Sequence, residues 1–523
     1  MPTRSLDMGH GYLGIDLGTQ GLSVIYTGSD MRVIATGEAG YEMVAGLQAG
    51  CYEQTPRDWE NALSQAMKSL AQKMEQLGQP LQVSAIGISG QMHGEVQIFD
   101  QIGNARNTRL WCDARNEVEE RELTDLLNVK MPKRMTSVRW LWSLRHRGPD
   151  TADVCQLTTP GGWLARRLTG QHLLGIGDAS GMFPIDQGTL DYDTTLLAKY
   201  DAFVQRANSK APSLRSLLPQ VRRAGQDGGV LNEHGARVLG LPKGTPLAPA
   251  EGDQPAALAG SLIGLAGMVS MSFGTSVCAN SVGDRTFHGV SRAIDHFCAV
   301  DGKPINMVWL RNGTTYMNTV VQMVGGLSER GLRDGNPFAA VIPELLAAKP
   351  DCGGVLALPF MDDEPGVGVS RGGTAVLIGL NEQNATSGNV ARAALLATVF
   401  NLRLGGENLL AQGFPLEQIV LSGGLTKSPE LGQVIADGLN LPVTILASGT
   451  EGSAWGAALM AKYRHRCLES EKGSWSDFLA EHASGTPLRF TPIADAASAS
   501  SLMFARYKRL LQVQAALDEA VTG

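Results

Sequence analysis

Residues 11–26 read GYLGIDLGTQGLSVIY, and the pattern predicts two apolar strands joined by a tight glycine turn. A similar stretch returns in the second half of the chain, where residues 267–282 read GMVSMSFGTSVCANSV. In both places an apolar run meets Gly-Thr, and a second apolar run follows. One glycine hairpin is common and would indicate little. Two copies indicate a chain with two halves that share a strand–turn–strand plan.

Both glycine turns contain groups that suit the oxygens of a phosphate chain. Glycine allows a close approach of the backbone to a ligand and leaves N–H groups free to point at an anion. Hydroxyl side chains beside the glycines add further donors. One turn from each half, facing the other across a cleft, would hold a polyphosphate. The residues of the two turns are Gly18, Thr19, Gln20, Gly274, Thr275 and Ser276.

An acidic residue precedes only the first of the two turns. Asp16 lies two residues before Gly18, whereas the second copy has Ser272 at the matching position. A carboxylate beside a phosphate site can hold Mg²⁺ directly or through the waters of the ion. Asp16 is therefore the predicted metal-binding residue, and the sequence leaves both modes open.

Residues 245–260 read TPLAPAEGDQPAALAG, which predicts a short strand, an acidic turn and an Ala-rich helix. Asp253 lies just ahead of the predicted helix. An Asp is favoured at a helix N-cap. A carboxylate at a strand end of an open α/β sheet is also the ordinary place for a general base. Spacing alone does not choose between capping and catalysis.

Residues 84–96 read SAIGISGQMHGEV and predict a strand that stops at a Ser-Gly pair. Gln91, Met92 and His93 follow the strand and stand between two glycines. A buried strand thus ends by offering a polar amide, a thioether and an imidazole. A lone histidine is more often structural than functional, so this loop needs further support.

A third glycine turn lies in residues 419–439, which read IVLSGGLTKSPELGQVIADGL. The pattern predicts a strand, a Gly-Gly turn at Gly423-Gly424 and a helix that begins near Ser428-Pro429-Glu430. Such a connection needs no ligand. The small residues of segment 449–463, GTEGSAWGAALMAKY, favour a closely packed helix. Either segment would also hold a flat purine.

Two further polar segments are weaker candidates. Trp111, Asp113 and Arg115 lie in LWCDAR, which is either a surface loop or the polar lip of a pocket. Asp178 in GIGDASGM is either an acid of a turn or a contact to a ligand.

Composition and charge limit the classes of protein to which this chain can belong. The chain has 523 residues, 43% of them hydrophobic, and this length predicts two or three domains. A net charge of −7 without a long Lys/Arg block excludes nucleic acid as an expected partner. The seven cysteines form no C-x-x-C pair, and no apolar run reaches the length of a membrane span. These features predict a cytoplasmic protein without a membrane partner, and they leave a homodimer open.

Taken in order, these segments resemble the FGGY family of carbohydrate kinases. The resemblance covers residues 11–462 and rests on GIDLGTQG, SGQMHG, LWCDAR, DASG, EGDQPAALAG, SFGTS and the late GG and WGAALMA segments. It implies an α/β chain with a two-domain ribonuclease-H-like fold of the actin and hexokinase type and a cleft between duplicated domains. The first implied domain, 1–264, holds the sugar loop, the first phosphate turn and the catalytic Asp. The second, 265–523, holds the second phosphate turn, the adenosine segment and a helical tail.

The same resemblance assigns roles to single residues. Asp253 matches the catalytic base of the family, and Asp16 matches the acid of its first phosphate loop, which is expected to act in catalysis and to hold Mg²⁺. SGQMHG is similar to the substrate loop of xylulokinases, in which the Met-His pair contacts the ketose. The expected substrate-binding residues are Gln91, Met92, His93 and Asp253. The expected ATP-binding residues are Gly18, Thr19, Gln20, Gly274, Thr275, Ser276, Gly424 and Ser428.

The expected reaction is ATP-dependent phosphorylation of a ketose hydroxyl, with D-xylulose as the first candidate acceptor. Departures from the family pattern bear on this expectation, among them Glu364-Pro365 with a displaced Arg371 where xylulokinases have Glu-Arg-x-Pro, and the absence of a Lys from LTTPGGWLARRLTG. Ser422-Gly423-Gly424-Leu425 replaces a triple glycine in the adenosine segment, and Gln254 replaces the Asn common beside the base. The alternatives are a kinase for D-ribulose, sedoheptulose or another ketose or polyol, an ATPase indifferent to sugar, and a sugar-binding regulator without kinase activity.

Overall fold

The computed structural model consists of two mixed β-sheets, each with helices packed against it. The residues that it describes are 11–208, 210–326, 335–446, 452–470, 473–483 and 486–522. Within these ranges no helix combines the length and the apolar character that crossing a bilayer requires.

The first sheet has five strands and is built around the predicted glycine hairpin. Its strands are β1 (Gly11–Leu17), β2 (Gly21–Thr27), β3 (Val33–Gly40), β4 (Val83–Gly90) and β5 (Glu251–Gly252). Their order across the sheet is β3–β2–β1–β4–β5. The first three are antiparallel neighbours, whereas β4 runs parallel to β1 and β5 runs parallel to β4. The carboxyl ends of β1, β4 and β5 therefore meet at one edge of the sheet.

The second sheet has seven strands and repeats this plan. Its strands are β6 (Met268–Phe273), β7 (Val277–Val282), β8 (Ile294–Cys298), β9 (Pro304–Leu310), β10 (Gln418–Gly423), β11 (Val443–Ile445) and β12 (Leu488–Phe490). Their order is β8–β9–β7–β6–β10–β11–β12. The inner five match the first sheet strand for strand, with an antiparallel hairpin, a third antiparallel strand and two parallel strands. The predicted duplication of the α/β plan is confirmed.

The described residues also form helices and short strand pairs outside the two sheets. The helices are α1 (Pro56–Gln76), α2 (Glu117–Leu127), α3 (Thr136–His146), α4 (Pro160–Thr169), α5 (Ile176–Ser180), α6 (Thr194–Ala207), α7 (Leu214–Leu217), α8 (Glu233–Leu239), α9 (Asp253–Gly260), α10 (Thr315–Gly325), α11 (Pro337–Ala347), α12 (Ser387–Ala411), α13 (Leu431–Leu439), α14 (Gly452–Leu468), α15 (Trp475–Glu481), α16 (Ala494–Leu511) and α17 (Gln514–Thr522). The short pairs join Glu53–Gln54 to Thr108–Arg109, Val96–Ile98 to Gln156–Thr158, Leu173–Gly175 to Gln220–Arg222, Ile185–Asp186 to Asp191–Tyr192, and Leu356–Leu358 to Val376–Ile378.

Helix α14 comes from the late part of the chain but packs on the first sheet. A Cβ added to Gly14 of β1 would lie 2.0 Å from the Ala454 carbonyl oxygen, and one added to Gly87 of β4 would lie 1.8 Å from that of Ala457. The indole N–H of Trp455 donates to the Met31 carbonyl at 3.0 Å. Helix and strands approach this closely because the facing residues lack side-chain bulk. The close packing predicted for this small-residue helix is confirmed.

Replacing Gly87 by Ala is expected to lower the free energy of unfolding by about 1–3 kcal/mol, because the new methyl group meets a helix carbonyl that cannot turn away. Chemical denaturation of the variant measures this loss. Gly40→Ala, in strand β3 of the same sheet, is the matched control, since its added Cβ would lie 3.7 Å from the nearest atom. Equal stability of the two variants would contradict the packing argument.

Candidate active site

The two predicted phosphate turns follow β1 and β6, the central strands of the two sheets. Each is closed by its own backbone, with Gly18 N–H donating to the Gly21 carbonyl at 2.9 Å and Gly274 N–H donating to the Ser276 carbonyl at 3.0 Å. The second turn has a neighbour that sequence reasoning missed. Gly313 packs so closely on it that an added Cβ would lie 2.5 Å from the Gly274 carbonyl. The unnoticed signal was the segment NGTT directly after an apolar strand.

Gln91 holds the first turn in place. Its side chain is only 1% exposed. The amide nitrogen donates to the Gly18 carbonyl at 3.3 Å and to Gln54 Oε1 at 2.9 Å, and the amide oxygen accepts from Thr19 Oγ1 at 3.4 Å. Gln91 was predicted to bind substrate, but its amide is engaged with the phosphate turn in this structure. We therefore propose that it links the sugar loop to the turn.

Two exposed side chains lie at the outer side of this turn. Trp111, which is 43% exposed, donates its indole N–H to Thr19 Oγ1 at 3.1 Å. Gln20 of the same turn is also exposed. Trp111 therefore lies at the edge of the first glycine turn, which agrees with both interpretations of LWCDAR, a surface loop and the lip of a pocket. Asp113 of the same segment is buried and pairs with Arg115 at 2.6 Å.

Met92 and His93 lie beside the start of α9. Met92 packs on Gly252, where an added Cβ would lie 2.2 Å from its Cγ. His93 adopts a left-handed backbone conformation with φ of 67°. Its Nδ1 lies 3.0 Å from the Gly181 carbonyl and its Nε2 accepts from Arg134 Nε at 3.2 Å, so the ring is the Nδ1–H tautomer. Burial and then the charge of Arg134 lower the pKa of His93 to about 3, which keeps the ring neutral.

Asp253 is the first residue of α9, and Gly252 occupies the N-cap position. Our expectation that Asp253 lies ahead of the helix is corrected by one residue, and the N-cap residue Gly252 makes no side-chain capping hydrogen bond. One carboxylate oxygen accepts from the Gln254 N–H at 2.8 Å. Burial, followed by the charge of Asp16, raises the pKa of Asp253 to about 7. A carboxylate with this pKa is suited to accept a proton at neutral pH.

Asp16 and Asp253 come together because β1 and the β5 strand that leads into α9 lie on either side of β4. In the sheet register Asp16 lies opposite Ser89, and Ser89 lies opposite Glu251, two residues before Asp253. Ser89 Oγ donates to Asp16 Oδ1 at 2.8 Å. Burial raises the pKa of Asp16, and the hydrogen bond from Ser89 opposes that effect. The result is a pair of acidic groups at the edge of the first sheet, next to the first phosphate turn.

A second pair of acids, Asp178 and Glu251, is buried near Asp253. Asp178 has no exposed surface, and Glu251 is 1% exposed. The backbone N–H of Asp178 donates to Glu251 Oε2 at 2.8 Å, and Thr159 Oγ1 donates to Asp178 Oδ2 at 2.5 Å. Burial raises the pKa of Asp178 to about 8 and raises that of Glu251 well above its ordinary value. The side chain of Asp178 thus belongs to the interior, in the first turn of α5.

The predicted adenosine turn lies beside the second phosphate turn. Strand β10 runs parallel to β6, and Gly423 lies opposite Phe273 in the register. Gly423 has a φ of 86°, and an added Cβ would lie 2.5 Å from the Phe273 carbonyl, so glycine is required here on both counts. Gly424 begins a short 3₁₀ turn, Gly424–Lys427. The helix predicted to begin near Ser428-Pro429-Glu430 begins at Leu431, directly after that segment, with Glu430 at the N-cap position.

Family models match both halves of the chain. The N-terminal domain of the FGGY family of carbohydrate kinases matches residues 11–260, and the C-terminal domain of that family matches residues 269–465. The chain belongs to the FGGY family. It is a carbohydrate kinase with the two-domain fold of that family, and the family implies ATP as a substrate.

Curated relatives and solved structures agree with this assignment. The chain is 27% identical over 468 residues to a xylulose kinase of Haemophilus influenzae, covering 86% of this chain and 90% of the relative. It is 28% identical over 466 residues to a xylulose kinase of Streptomyces coelicolor, covering 86% and 87%. The crystal structure of a xylulose kinase from Rhodospirillum rubrum is similar in fold, with a TM-score of 0.81, 18% identity and coverage of 97% and 100%.

Proposed function

We propose that this kinase transfers the γ-phosphoryl group of ATP to the terminal hydroxyl of a ketose, D-xylulose first. The observation that supports this most directly is Asp253. Its carboxylate has a pKa of about 7 and lies between the Met92 loop and Asp16, next to the first phosphate turn. The curated relatives named above are xylulose kinases, which favours D-xylulose over other acceptors.

In the proposed reaction Asp253 accepts the proton of the attacking hydroxyl. When bound, ATP and Mg²⁺ supply the phosphoryl group and neutralise the charge that develops on it. The turns at Gly18 and Gly274 hold the phosphate chain through backbone N–H groups, and Gly424 and Ser428 lie at the adenosine end. Met92 packs on the carbon face of the sugar. Asp253 is suited to its role because it is largely buried and still charged in part at neutral pH.

The residues present fit a magnesium ion that is shared with ATP. In the described part of the chain, no three His, Cys, Asp or Glu side chains converge on a metal position. Asp16 would therefore be a single protein ligand, completed by phosphate and water oxygens. This is the mode that Mg²⁺ commonly takes in phosphoryl-transfer enzymes.

A panel assay tests the proposed function. ADP release by the purified protein with Mg-ATP is measured against D-xylulose, D-ribulose, sedoheptulose and xylitol, with a control that lacks sugar. We expect one ketose, D-xylulose, to give the highest kcat/KM and the control to give little release. Equal ADP release with and without sugar would favour an ATPase. Sugar-dependent thermal stabilisation without ADP release would favour a sugar-binding regulator.

A further inference from the structure

A cavity of about 230 Å³ lies in the second half of the chain, between the second sheet and helix α12. Strands β6, β7, β9 and β10 form one wall, and the last turns of α12 form the other. An engineered apolar cavity of about 150 Å³ in another protein holds benzene, so this one has room for a substituted ring. Most of its lining is apolar, including Val269, Met271, Val308, Leu402, Leu409 and Ile419.

The cavity lies on the face of the second sheet that points away from the cleft. Asn280 of β7 faces the first half, because its Nδ2 donates to Gln254 Oε1 at 3.3 Å. Successive side chains of a strand point to opposite faces, so Ala279 and Ser281 face the other way, and both line the cavity. Val269 is the second residue of β6, whereas the second phosphate turn follows the last residue of that strand. The cavity is therefore separate from both phosphate turns.

Two buried polar groups on the cavity wall have no hydrogen-bond partner among the described residues. They are the hydroxyl of Ser281 and the amide nitrogen of Asn306, in residues that are 2% and 1% exposed. Ser281 and Asn306 lie opposite each other in the antiparallel register of β7 and β9, so their side chains are neighbours on one face. The Asn306 amide oxygen is already engaged, because it accepts from His296 Nδ1 at 3.0 Å. A pair of hydrogen-bond donors is left.

The two charged residues that line the cavity are matched within the chain. Arg403 donates to the Gly438 carbonyl at 3.1 Å and to Ser501 Oγ at 3.2 Å. Glu407 lies 3.1 Å from the Lys508 ammonium. An ionised ligand would bury its charge among apolar side chains without a counter-charge of its own, which is costly. The cavity wall therefore favours an uncharged ligand.

We infer that this cavity is a second ligand site, which takes a small uncharged molecule with an apolar body and a hydrogen-bond acceptor such as a carbonyl oxygen. The apolar body lies against the strands and α12, and the oxygen accepts from Ser281 and Asn306, whose burial without a partner is otherwise costly. Water is a poorer occupant, because a buried water makes about three hydrogen bonds and most of this wall is apolar. The inference concerns binding alone and does not rest on the proposed kinase function.

Acetophenone and α-methylstyrene are the probes for the test, because they have nearly the same shape and only acetophenone has a carbonyl oxygen. Calorimetry on the full chain measures their affinities, and thermal unfolding measures the stabilisation that binding gives. We expect both to bind the wild type, and acetophenone to bind about fivefold more tightly, as for one net hydrogen bond. Ser281→Ala is expected to lower that preference and to keep the affinity for α-methylstyrene.

Ser137→Ala is the matched control for the loss of the hydroxyl. Ser137 of α3 is also buried, its hydroxyl has no partner in the described part of the chain, and it lies in the first half. Its variant should keep the wild-type preference.

Gly406→Leu fills the cavity from α12 and is expected to abolish the binding of both probes. A Cβ added to Gly406 would meet only the end of the Leu416 side chain, at 3.4 Å. The change also replaces a glycine within a helix by a better helix former, so the variant is expected to fold. Its own thermal unfolding transition checks this expectation.

Four results would overturn the inference. The first is a wild type that binds neither probe. The second is an equal affinity for the two probes, or a preference that Ser281→Ala leaves unaltered, since the donor pair would then not recognise the carbonyl. The third is wild-type binding by Gly406→Leu, which would place the probes elsewhere. The fourth is loss of binding in saturating D-xylulose and Mg-ADP, which would place them in the cleft. The measurements need no turnover, so a failure of the kinase proposal would leave them unchanged.

Discussion

Asp253→Asn is expected to lower kcat by about 10²–10⁴-fold while the affinity for the ketose stays close to that of the wild type. The amide has nearly the shape of the carboxylate and can still accept the Gln254 N–H bond, but it cannot take the proton of the attacking hydroxyl. Steady-state kinetics with D-xylulose and Mg-ATP measure the loss, and calorimetry measures the affinity.

Asp58→Asn is the matched control for this variant. Asp58 also lies in the first turn of a helix, α1, but it is exposed and far from the phosphate turns in the chain. Its kcat is expected to equal that of the wild type. If Asp253→Asn retains near-wild-type turnover, Asp253 is not the base, and its position in the first turn of α9 has a structural role only.

Asp178→Asn is expected to stabilise the protein at alkaline pH relative to the wild type. The folded pKa of Asp178, about 8, lies above that of an unfolded Asp, so the folded state binds the extra proton between these values. The free energy of unfolding of the wild type therefore falls as pH rises through this window, by up to about 1.4 kcal/mol per pH unit from this residue. Asn does not ionise, so the free energy of unfolding of the variant does not fall in this way as the pH rises.

Thermal unfolding at acid and alkaline pH checks the expected sign. The Tm of Asp178→Asn relative to wild type should be higher at pH about 9 than at pH about 5. Asp125→Asn, at an exposed position of α2, serves as the control and should show no such change. A difference between Asp178→Asn and wild type that does not depend on pH would show that the buried carboxyl does not hold a proton near neutrality.

Local patterns were enough to predict the centre of each half. The apolar runs on either side of Gly18 and Gly274 became β1, β2, β6 and β7, with the turns in the predicted places. These segments were predictable because strand alternation and glycine turns are set by neighbouring residues. Asp253 at the end of a strand was found in the same way. Helix α13 begins directly after the predicted start at Ser428-Pro429-Glu430, and a 3₁₀ turn that was not predicted precedes it.

The sequence by itself thus determined the duplicated plan, the two glycine turns and the acids near the first of them. The tertiary structure alone decided what each polar side chain contacts. Gln91 turned inward to hold the first turn, Asp178 became fully enclosed, and Arg134 was brought to Asp295 from a distant part of the chain. Such contacts depend on which strands and helices pack together. The residue pattern within one segment does not show which distant segment will lie against it, nor the charge and shape of the side chains there.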